Sequence, residues 1–454
     1  MKMKKSAAVF ILFLLCSLAM VQSEYSPVYI GSQEGFKEAD KISSLPGQPL
    51  VNFDQFSGYV TIDPSAGRAF FYYFAESEDP SNKPLVLWIN GGPTCSSLGI
   101  GAFEEIGPFR VNRSGKTLAQ NEFAWNNLAN ILFLESPVGV GFSYSNTSSN
   151  DVIRDTEVAL DTYAFLVNWL ERFPEYKTRD SFLAGESYAG HYVPQLAQLI
   201  LNNNKITNQT IINLAGIAIG NPNIDYETRL YGLYDYLSQH ALISDEIHEG
   251  IVLNCNFSSV DTVTEDCKTV TNQAKEARGN TYLYDLYAPL CTSFSPSPST
   301  LDFNPCADQD VLVYLNTPQV QESIHANATA SIQGTCGLSL EFDQFLVLTV
   351  LPVIQELMTA NISVWIFSGD TGGVIPVTSV KYAINQLGPP TVKTPWYPWY
   401  SQCEVGGYVV EYENLIFLTV RGAGHFVPYY QPARAVTFFT AFIEGKLPSP
   451  QQKN

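Results

Sequence analysis

The sequence predicts an α/β fold in which a mostly parallel central sheet carries helices and is overlaid by a helical, disulfide-bonded insertion. Three observations carry this reading. Short apolar runs of the kind that form buried strands recur along the chain: LVLWIN, NILFLES, SFLAGES, ISVWIFSGD and LIFLTV. Segments with helical periodicity, such as TEVALDTYAFLVNWLERF and YAGHYVPQLAQLILNNN, lie between or after them, and that alternation is the pattern of parallel βαβ units. Between residues 225 and 341 the alternation breaks, and five cysteines cluster there.

The elements follow in chain order. Lys2, Lys4 and Lys5 precede the apolar run AAVFILFLLCSLAM, and Val21 and Ser23 suit cleavage before Glu24, so residues 1–23 read as a signal peptide. The run is short for a spanning helix and no later stretch would span, which predicts a secreted or vacuolar protein without stable membrane association. Residues 24–224 form the first part of the core. It opens with the hairpin FSGYVTID and RAFFYYFAES around a Pro/Gly turn. Residues 225–341 read as a lid insertion over the sheet, with SFSPSPST as an exposed loop. Residues 342–454 complete the core and close on the helix-like QPARAVTFFTAFIEG. A chain of 454 residues suffices for one such enzyme domain with its insertion.

The net charge is −19, and loss of the three leader lysines makes the mature chain more acidic still. A field of that sign repels phosphate, and nothing resembles a basic patch, so a nucleic-acid partner is excluded. Of the eight cysteines, Cys16 leaves with the leader. The other seven, in an oxidising compartment, predict three disulfides and one remaining thiol. There is no C-x-x-C and no histidine pair at ligand spacing, so neither a metal nor a cofactor is expected. Sequons at Asn112, Asn146, Asn208, Asn256, Asn327 and Asn361 accord with secretion. The sequence leaves room for a homodimer without requiring one.

Chemistry enters at GESYAG, around Ser187. A G-x-S-x-G match alone is weak, but here a strand candidate precedes it and a helical pattern follows. That context makes a nucleophile elbow, with a helix N-terminus behind the serine to favour a developing oxyanion. A nucleophilic serine needs a base and an orienting carboxylate. Of the five histidines, His191 lies in the elbow helix, and His240, His248 and His325 lie in the insertion. His425 follows the strand LIFLTV in the loop RGAGHFVP, where an imidazole can swing over a serine. Asp370 has the same placement after SVWIFSG. Ser187, Asp370, His425 is the α/β-hydrolase order.

The blocks WINGGPTCSS, FLESPVGVGFSYS, GESYAGHYVP, IFSGDT and VRGAGHFVP resemble the signatures of the serine carboxypeptidase family, most of all its plant serine carboxypeptidase-like branch, from about Glu34 to Leu447. The resemblance implies an α/β-hydrolase fold with a lid and a Ser187–Asp370–His425 triad. It implies an oxyanion hole of the Gly92 and Tyr188 N–H groups. It also implies recognition of a peptide or protein C-terminus: Asn90, Gly91 and Glu186 would bind the substrate carboxylate, with Glu105 behind Glu186. The family's disulfides would pair Cys95 with Cys336, Cys255 with Cys267 and Cys291 with Cys306, leaving Cys403 over. Two glutamates in contact share a proton, so at acidic pH Glu186 can donate a hydrogen bond to an anion. Phe426, on the leaving-group side, implies a preference for apolar C-terminal residues.

Relatives of this architecture also include acyltransferases that use glucose esters and a hydroxynitrile lyase. The transferases carry an Asp before the nucleophile and a Ser at the place of Ala189, so GESYAG resembles the peptidase form. Two departures point toward a weak homologue with a binding or signalling role: Thr94 where the family has glycine, and Gly372 where it has aspartate. If position 94 requires positive φ, a β-branched residue there strains the oxyanion loop. The expectation is an active but slowed enzyme.

Overall fold

The computed structural model describes residues 29–147, 153–258, 263–292, 303–327, 332–336, 347–388 and 391–451. The expected signal peptide and the SFSPSPST loop lie outside the described residues. The strands are β1 (Lys41–Ile42), β2 (Gln55–Asp63), β3 (Arg68–Ala75), β4 (Leu85–Ile89), β5 (Phe109–Val111), β6 (Leu118–Gln120) and β7 (Asn130–Leu134). They continue with β8 (Ser181–Glu186), β9 (Leu214–Gly220), β10 (Ser363–Gly369), β11 (Val392–Ser401), β12 (Glu404–Tyr412) and β13 (Leu415–Val420). Eleven of them form one sheet in the order β1-β2-β3-β7-β4-β8-β9-β10-β13-β12-β11, while β5 and β6 pair separately.

From β7 to β13 the ladders of this sheet are parallel, and antiparallel strands extend it on both sides. The sheet is therefore parallel at its centre and mixed overall. Side chains alternate between its faces. Leu85, Leu87 and Ile89 join one apolar cluster beneath helices α1 (Asp155–Arg172) and α2 (Ala189–Thr207). Val86 and Trp88 join the other, with Phe438, Phe439 and Phe442 of the C-terminal helix Pro432–Ile443. Helices on both faces keep the central strands dry, which is why they read as continuous apolar runs.

Besides the short β1, β5 and β6, three longer strands escape the sequence pattern. β9 (LAGIAIG) is rich in small residues, with Gly216 and Gly220 weakening its strand signature. β11 (VKTPWYPWYS) contains Pro395 and Pro398, which argue against a strand; it is the edge strand, where a missing donor is tolerated, and its pairing with β12 shifts register three times. β12 goes with it, since a hairpin is read only when both arms are.

Between β9 and β10 the chain forms helices α3 (Tyr226–Gln239), α4 (Asp245–Asn254), α5 (Glu265–Ala277) and α6 (Ala307–Leu315). Leu237, Ile251, Phe257 and Ala274 make a small satellite core stapled by Cys255–Cys267. Disulfides also join Cys95 to Cys336 and Cys291 to Cys306, and exposed Cys403 stands outside all three. Among the sequons, Asn146, Asn208, Asn256, Asn327 and Asn361 are exposed and Asn112 is half-buried. Among the described residues no helix is long and apolar enough to cross a membrane.

One buried ion pair locks the N-terminal segment to α1. Arg172, whose side chain is 3% exposed, donates to Asp40 Oδ2 at 2.5 Å, to Gln33 Oε1 and to the Tyr59 carbonyl. The Tyr72 hydroxyl donates to the same carboxylate at 2.5 Å. Burial raises the Asp40 pKa against the pull of Arg172. Removing one partner of such a pair leaves an uncompensated charge, at a cost of about 3 kcal/mol or more. Arg172→Met is therefore expected to lower the urea midpoint markedly at neutral pH, with the deficit shrinking in acid as Asp40 takes up a proton. An unchanged midpoint at neutral pH would remove this pair from the account of stability.

Candidate active site

Ser187 follows the fully buried strand β8 and takes a left-handed backbone with φ 62°. Hydrogen bonds hold it there on both sides. Its N–H donates to Gly220 O at 2.8 Å, and its carbonyl accepts from Asn223 N–H at 2.9 Å and Gly190 N–H at 3.0 Å. The flanking glycines are needed because backbones pass too closely for a side chain. A Cβ on Gly185 would lie 2.3 Å from Ile89 O, and one on Gly190 would lie 2.5 Å from Asn223 O. Helix α2 starts two residues beyond Ser187, so its positive end lies behind the hydroxyl.

The loop after β4 closes against this turn. A Cβ on Gly91 would fall 2.2 Å from the Tyr188 nitrogen, so the backbone of Gly91 and Gly92 runs beside that of Tyr188. The Tyr192 hydroxyl of α2 donates to Pro93 O at 2.8 Å, and Cys95–Cys336 anchors the far side. Gly92 has φ 110°, which its lack of a Cβ allows. Thr94 is not among the residues with positive φ, so the strain expected from its branched side chain does not arise.

Asp370 and His425 sit at the ends of β10 and β13, on interlocked loops. Thr371 N–H donates to Ala423 O at 2.9 Å, and Gly422 N–H donates to Asp370 Oδ1 at 2.6 Å. A Cβ on Gly372 would come 2.9 Å from the His425 nitrogen, so the loop geometry suits the glycine found there. Asn221, just after β9, binds the loops together. Its Nδ2 donates to His425 O at 2.6 Å, and its Oδ1 accepts from Ser368 Oγ and Gly369 N–H. His425 is 1% exposed, and burial drives its pKa down to about 3. Burial raises that of Asp370, opposed by the Gly422 hydrogen bond. His425 Nδ1 has no hydrogen-bond partner among the described residues, so the loops meet without an Asp370–imidazole bond in this structure.

The other histidines are accounted for elsewhere. His191 stacks on Tyr188, His240 contacts Tyr236 O, His248 pairs with Asp235 and His325 contacts Ser57 O.

A buried carboxyl cluster adjoins the serine. Trp88 Nε1 donates to Asn90 Oδ1 at 2.6 Å, which turns Asn90 Nδ2 toward Glu105 Oε1 (2.8 Å) and Glu186 Oε1 (3.2 Å). Gly101 leaves room for this, since a Cβ there would lie 2.6 Å from Trp88 Nε1 and 2.7 Å from Asn90 Oδ1. Glu105 ends a π-helical segment, Ser97–Glu105, and both acids are 1% exposed or less. Desolvation pushes Glu105 up to about 7; it also pushes Glu186 well above the ordinary carboxyl range, reinforced by the charge of Glu105. Two acids so placed hold a proton between them.

Sequence reasoning brought out Ser187, Asp370, His425, Asn90, Gly91, Gly92, Tyr188, Glu186, Glu105 and Phe426, and the structure gathers their segments at the carboxyl ends of β4, β8, β10 and β13. It did not bring out Asn221, whose signal, an Asn-Pro-Asn after an apolar run, is visible only once β9 is read as a strand. It also missed Trp88, Gly101 and Glu104. Among the described residues no cluster of metal-ligating side chains occurs.

Comparison with known proteins bears on this geometry. The family model for serine carboxypeptidase matches residues 46–445. The chain is 50% identical to serine carboxypeptidase-like 40 of Arabidopsis thaliana over 91% of its own length and 84% of that protein. It is 44% identical to serine carboxypeptidase 24 of the same organism, over 96% and 98% of the two chains. Among solved structures it resembles KEX1(delta)p, a prohormone-processing carboxypeptidase from Saccharomyces cerevisiae, with a TM-score of 0.77, 25% identity, and coverage of 92% of this chain and 97% of that one.

The contact between Gly91 and Tyr188 generates a test. Gly91→Ala is expected to force the two loops apart and misaim the amides beside Ser187, slowing labelling of Ser187 by a fluorophosphonate at least ~100-fold. Circular dichroism would verify that the variant folds. Wild-type labelling in a folded variant would show that the close approach is not required.

Proposed function

The chain belongs to the serine carboxypeptidase family and is a serine-type carboxypeptidase, and we propose that it removes C-terminal residues from peptides at acidic pH through an acyl-enzyme on Ser187. The observation that carries this reading is the buried Asn90–Glu105–Glu186 cluster immediately before the serine. A protonated carboxyl beside a fixed amide can hold a free carboxylate, which is what an exopeptidase must recognise.

In the proposed reaction, Asn90 Nδ2, the Gly91 N–H and the Glu186–Glu105 proton bind the substrate's C-terminal carboxylate. Ser187 Oγ attacks the scissile carbonyl carbon while His425 takes the hydroxyl proton, and Asp370 stabilises the imidazolium once the loops tighten on substrate. The oxyanion is held by the Gly92 and Tyr188 N–H groups. Collapse breaks the C–N bond, and His425 returns the proton to the departing amine. Water then attacks the acyl-enzyme with His425 as base, releasing the shortened peptide and restoring the serine. A neutral imidazole is required at the outset, and the low pKa of His425 supplies it even in acid. Residues 225–341 act as the lid that covers this site, and delivery is to the vacuole or the exterior.

The test compares blocked dipeptides bearing a free or an amidated C-terminus across the acidic and neutral range. For the free acid, KM is expected to rise as pH increases through about 7, where Glu105 ionises and sets a negative charge beside the bound carboxylate. The amide should show no such rise, and Ser187→Ala should abolish turnover of both. Identical KM profiles would dismiss the glutamates as the carboxylate clamp. Turnover of acyl-glucose donors with no peptide hydrolysis would favour the acyltransferase reading, and no labelling or turnover at all the inactive homologue.

Phe426 borders the leaving-group side, stacked with Tyr284 at 5.0 Å. At acidic pH, release of Leu or Phe is expected to outpace that of Lys or Arg by several-fold, because an aromatic wall favours apolar burial. Faster release of the basic residues under those conditions would refute this.

A further inference from the structure

Beside the carboxyl cluster lies a cavity of about 310 Å³ whose walls include Tyr284, Phe303, Phe426 and Tyr429 and whose polar groups include Glu104 and Asp308. Its position follows from two neighbours in sequence. Phe426 adjoins His425, and Glu104 adjoins Glu105, so one wall borders the base and the other the residue proposed to hold the substrate carboxylate. A substrate bound by that carboxylate would send the side chain of its last residue into this space.

Glu104 is an unusual residue to line an aromatic pocket. It is 5% exposed, and its Oε1 has no hydrogen-bond partner among the described residues. Asp308, on α6, lines the same cavity and accepts from the Thr335 hydroxyl. The charged and titratable groups that act on Glu104 are Asp308 and Asp310 of α6, Glu105 on its own segment and Arg110 of β5. Tyr282 and Tyr429 also feel its charge. Asp308 acts on it more strongly than Arg110 does, and Arg110 donates to the Glu105 carbonyl without forming an ion pair with Glu104. The pocket is therefore acid-rich, and it contains a buried acceptor without a donor.

We propose that Glu104, with Asp308 in the same cavity, reads the side chain of the residue being removed, so that preference moves from apolar toward lysine and arginine as pH rises. This rests on the carboxypeptidase reading above. With both acids protonated, the pocket is neutral and its aromatic walls take an apolar side chain. With Glu104 ionised, the walls hold the methylene stem of a lysine or arginine while the carboxylates accept its N–H groups. Burial and the charges of Asp308 and Glu105 raise the Glu104 pKa well above the ordinary carboxyl range, which places the change above the acidic optimum.

The experiment measures kcat/KM for two blocked dipeptides that differ only in ending with Lys or Leu, from acidic to neutral pH, in the wild type, Glu104→Gln and Asp308→Asn. Taking the Lys/Leu ratio cancels the titration of the carboxylate clamp, which both substrates share. The ratio is expected to rise roughly tenfold with pH in the wild type, less steeply in Asp308→Asn, and to stay flat in Glu104→Gln. The same ratio of dissociation constants is read on the Ser187→Ala protein, where no turnover is needed. A flat wild-type ratio with both substrates well used overturns this proposal and leaves the carboxypeptidase reading intact. A rise that persists in Glu104→Gln removes Glu104 from the pocket's chemistry, and failure of either dipeptide to bind Ser187→Ala overturns both readings.

Discussion

The site depends on holding one serine in a backbone conformation that a side-chain-bearing residue adopts only under strain. Ser187 reaches φ 62° at the abrupt change from β8, which stops at Glu186, to α2, which starts at Ala189. The segments after β4 and β9 crowd in until main chain touches main chain. The serine is thus gripped by a hydrogen bond from its N–H to the Gly220 carbonyl and one to its carbonyl from the Asn223 N–H, and its amide neighbours are fixed by the same contacts that strain it. The crossover point of the sheet lies here too, since β4 is flanked by β7 on one side and β8 on the other. A crevice at the carboxyl ends of the strands follows from that topology.

The second theme is desolvation acting in opposite senses on acids and on a base. The same dry enclosure that lowers His425 to about 3 raises Glu105 to about 7. Neither group needs an opposing charge to reach its working form. Between those two values the imidazole is neutral and the acid pair still holds its proton, so one physical cause sets both limits of a range centred in acid. Glu135 belongs to the same pattern. It is buried, raised to about 7, and accepts from the Ser96 hydroxyl and the Leu98 N–H, steadying the start of the segment that ends in Glu105.

The parts of this design that were legible in the sequence are those written in local pattern. Central strands advertise themselves because both faces are covered, and the elbow because its glycines flank a polar residue at a strand-to-helix change. What was hidden depends on partners remote in the chain. Asn221 is an unremarkable loop residue until Ser368 and Gly369 are brought to it by β10 and His425 by β13. Trp88 reads as core, and only its indole N–H, aimed at Asn90, gives it a second role. Glu104 and Glu105 are indistinguishable as letters, yet a π-helical turn directs one toward the Asn90 cluster and lets the other line the adjoining cavity. Thr94 shows the reverse error, since a departure from family pattern suggested strain that the loop's own backbone does not impose.

The bridge between Cys95 and Cys336 closes a ring across 241 residues, and Cys291–Cys306 closes a smaller one across 15 within it. These rings make the polypeptide's integrity independent of its peptide bonds over a long interval. A protease that cuts between residues 291 and 306 severs the main chain, but both pieces stay joined by two covalent links, and the serine and the histidine remain parts of one molecule. Such a product would migrate as a single species until reduced and as two polypeptides afterwards, so maturation into a two-chain form is compatible with an intact site.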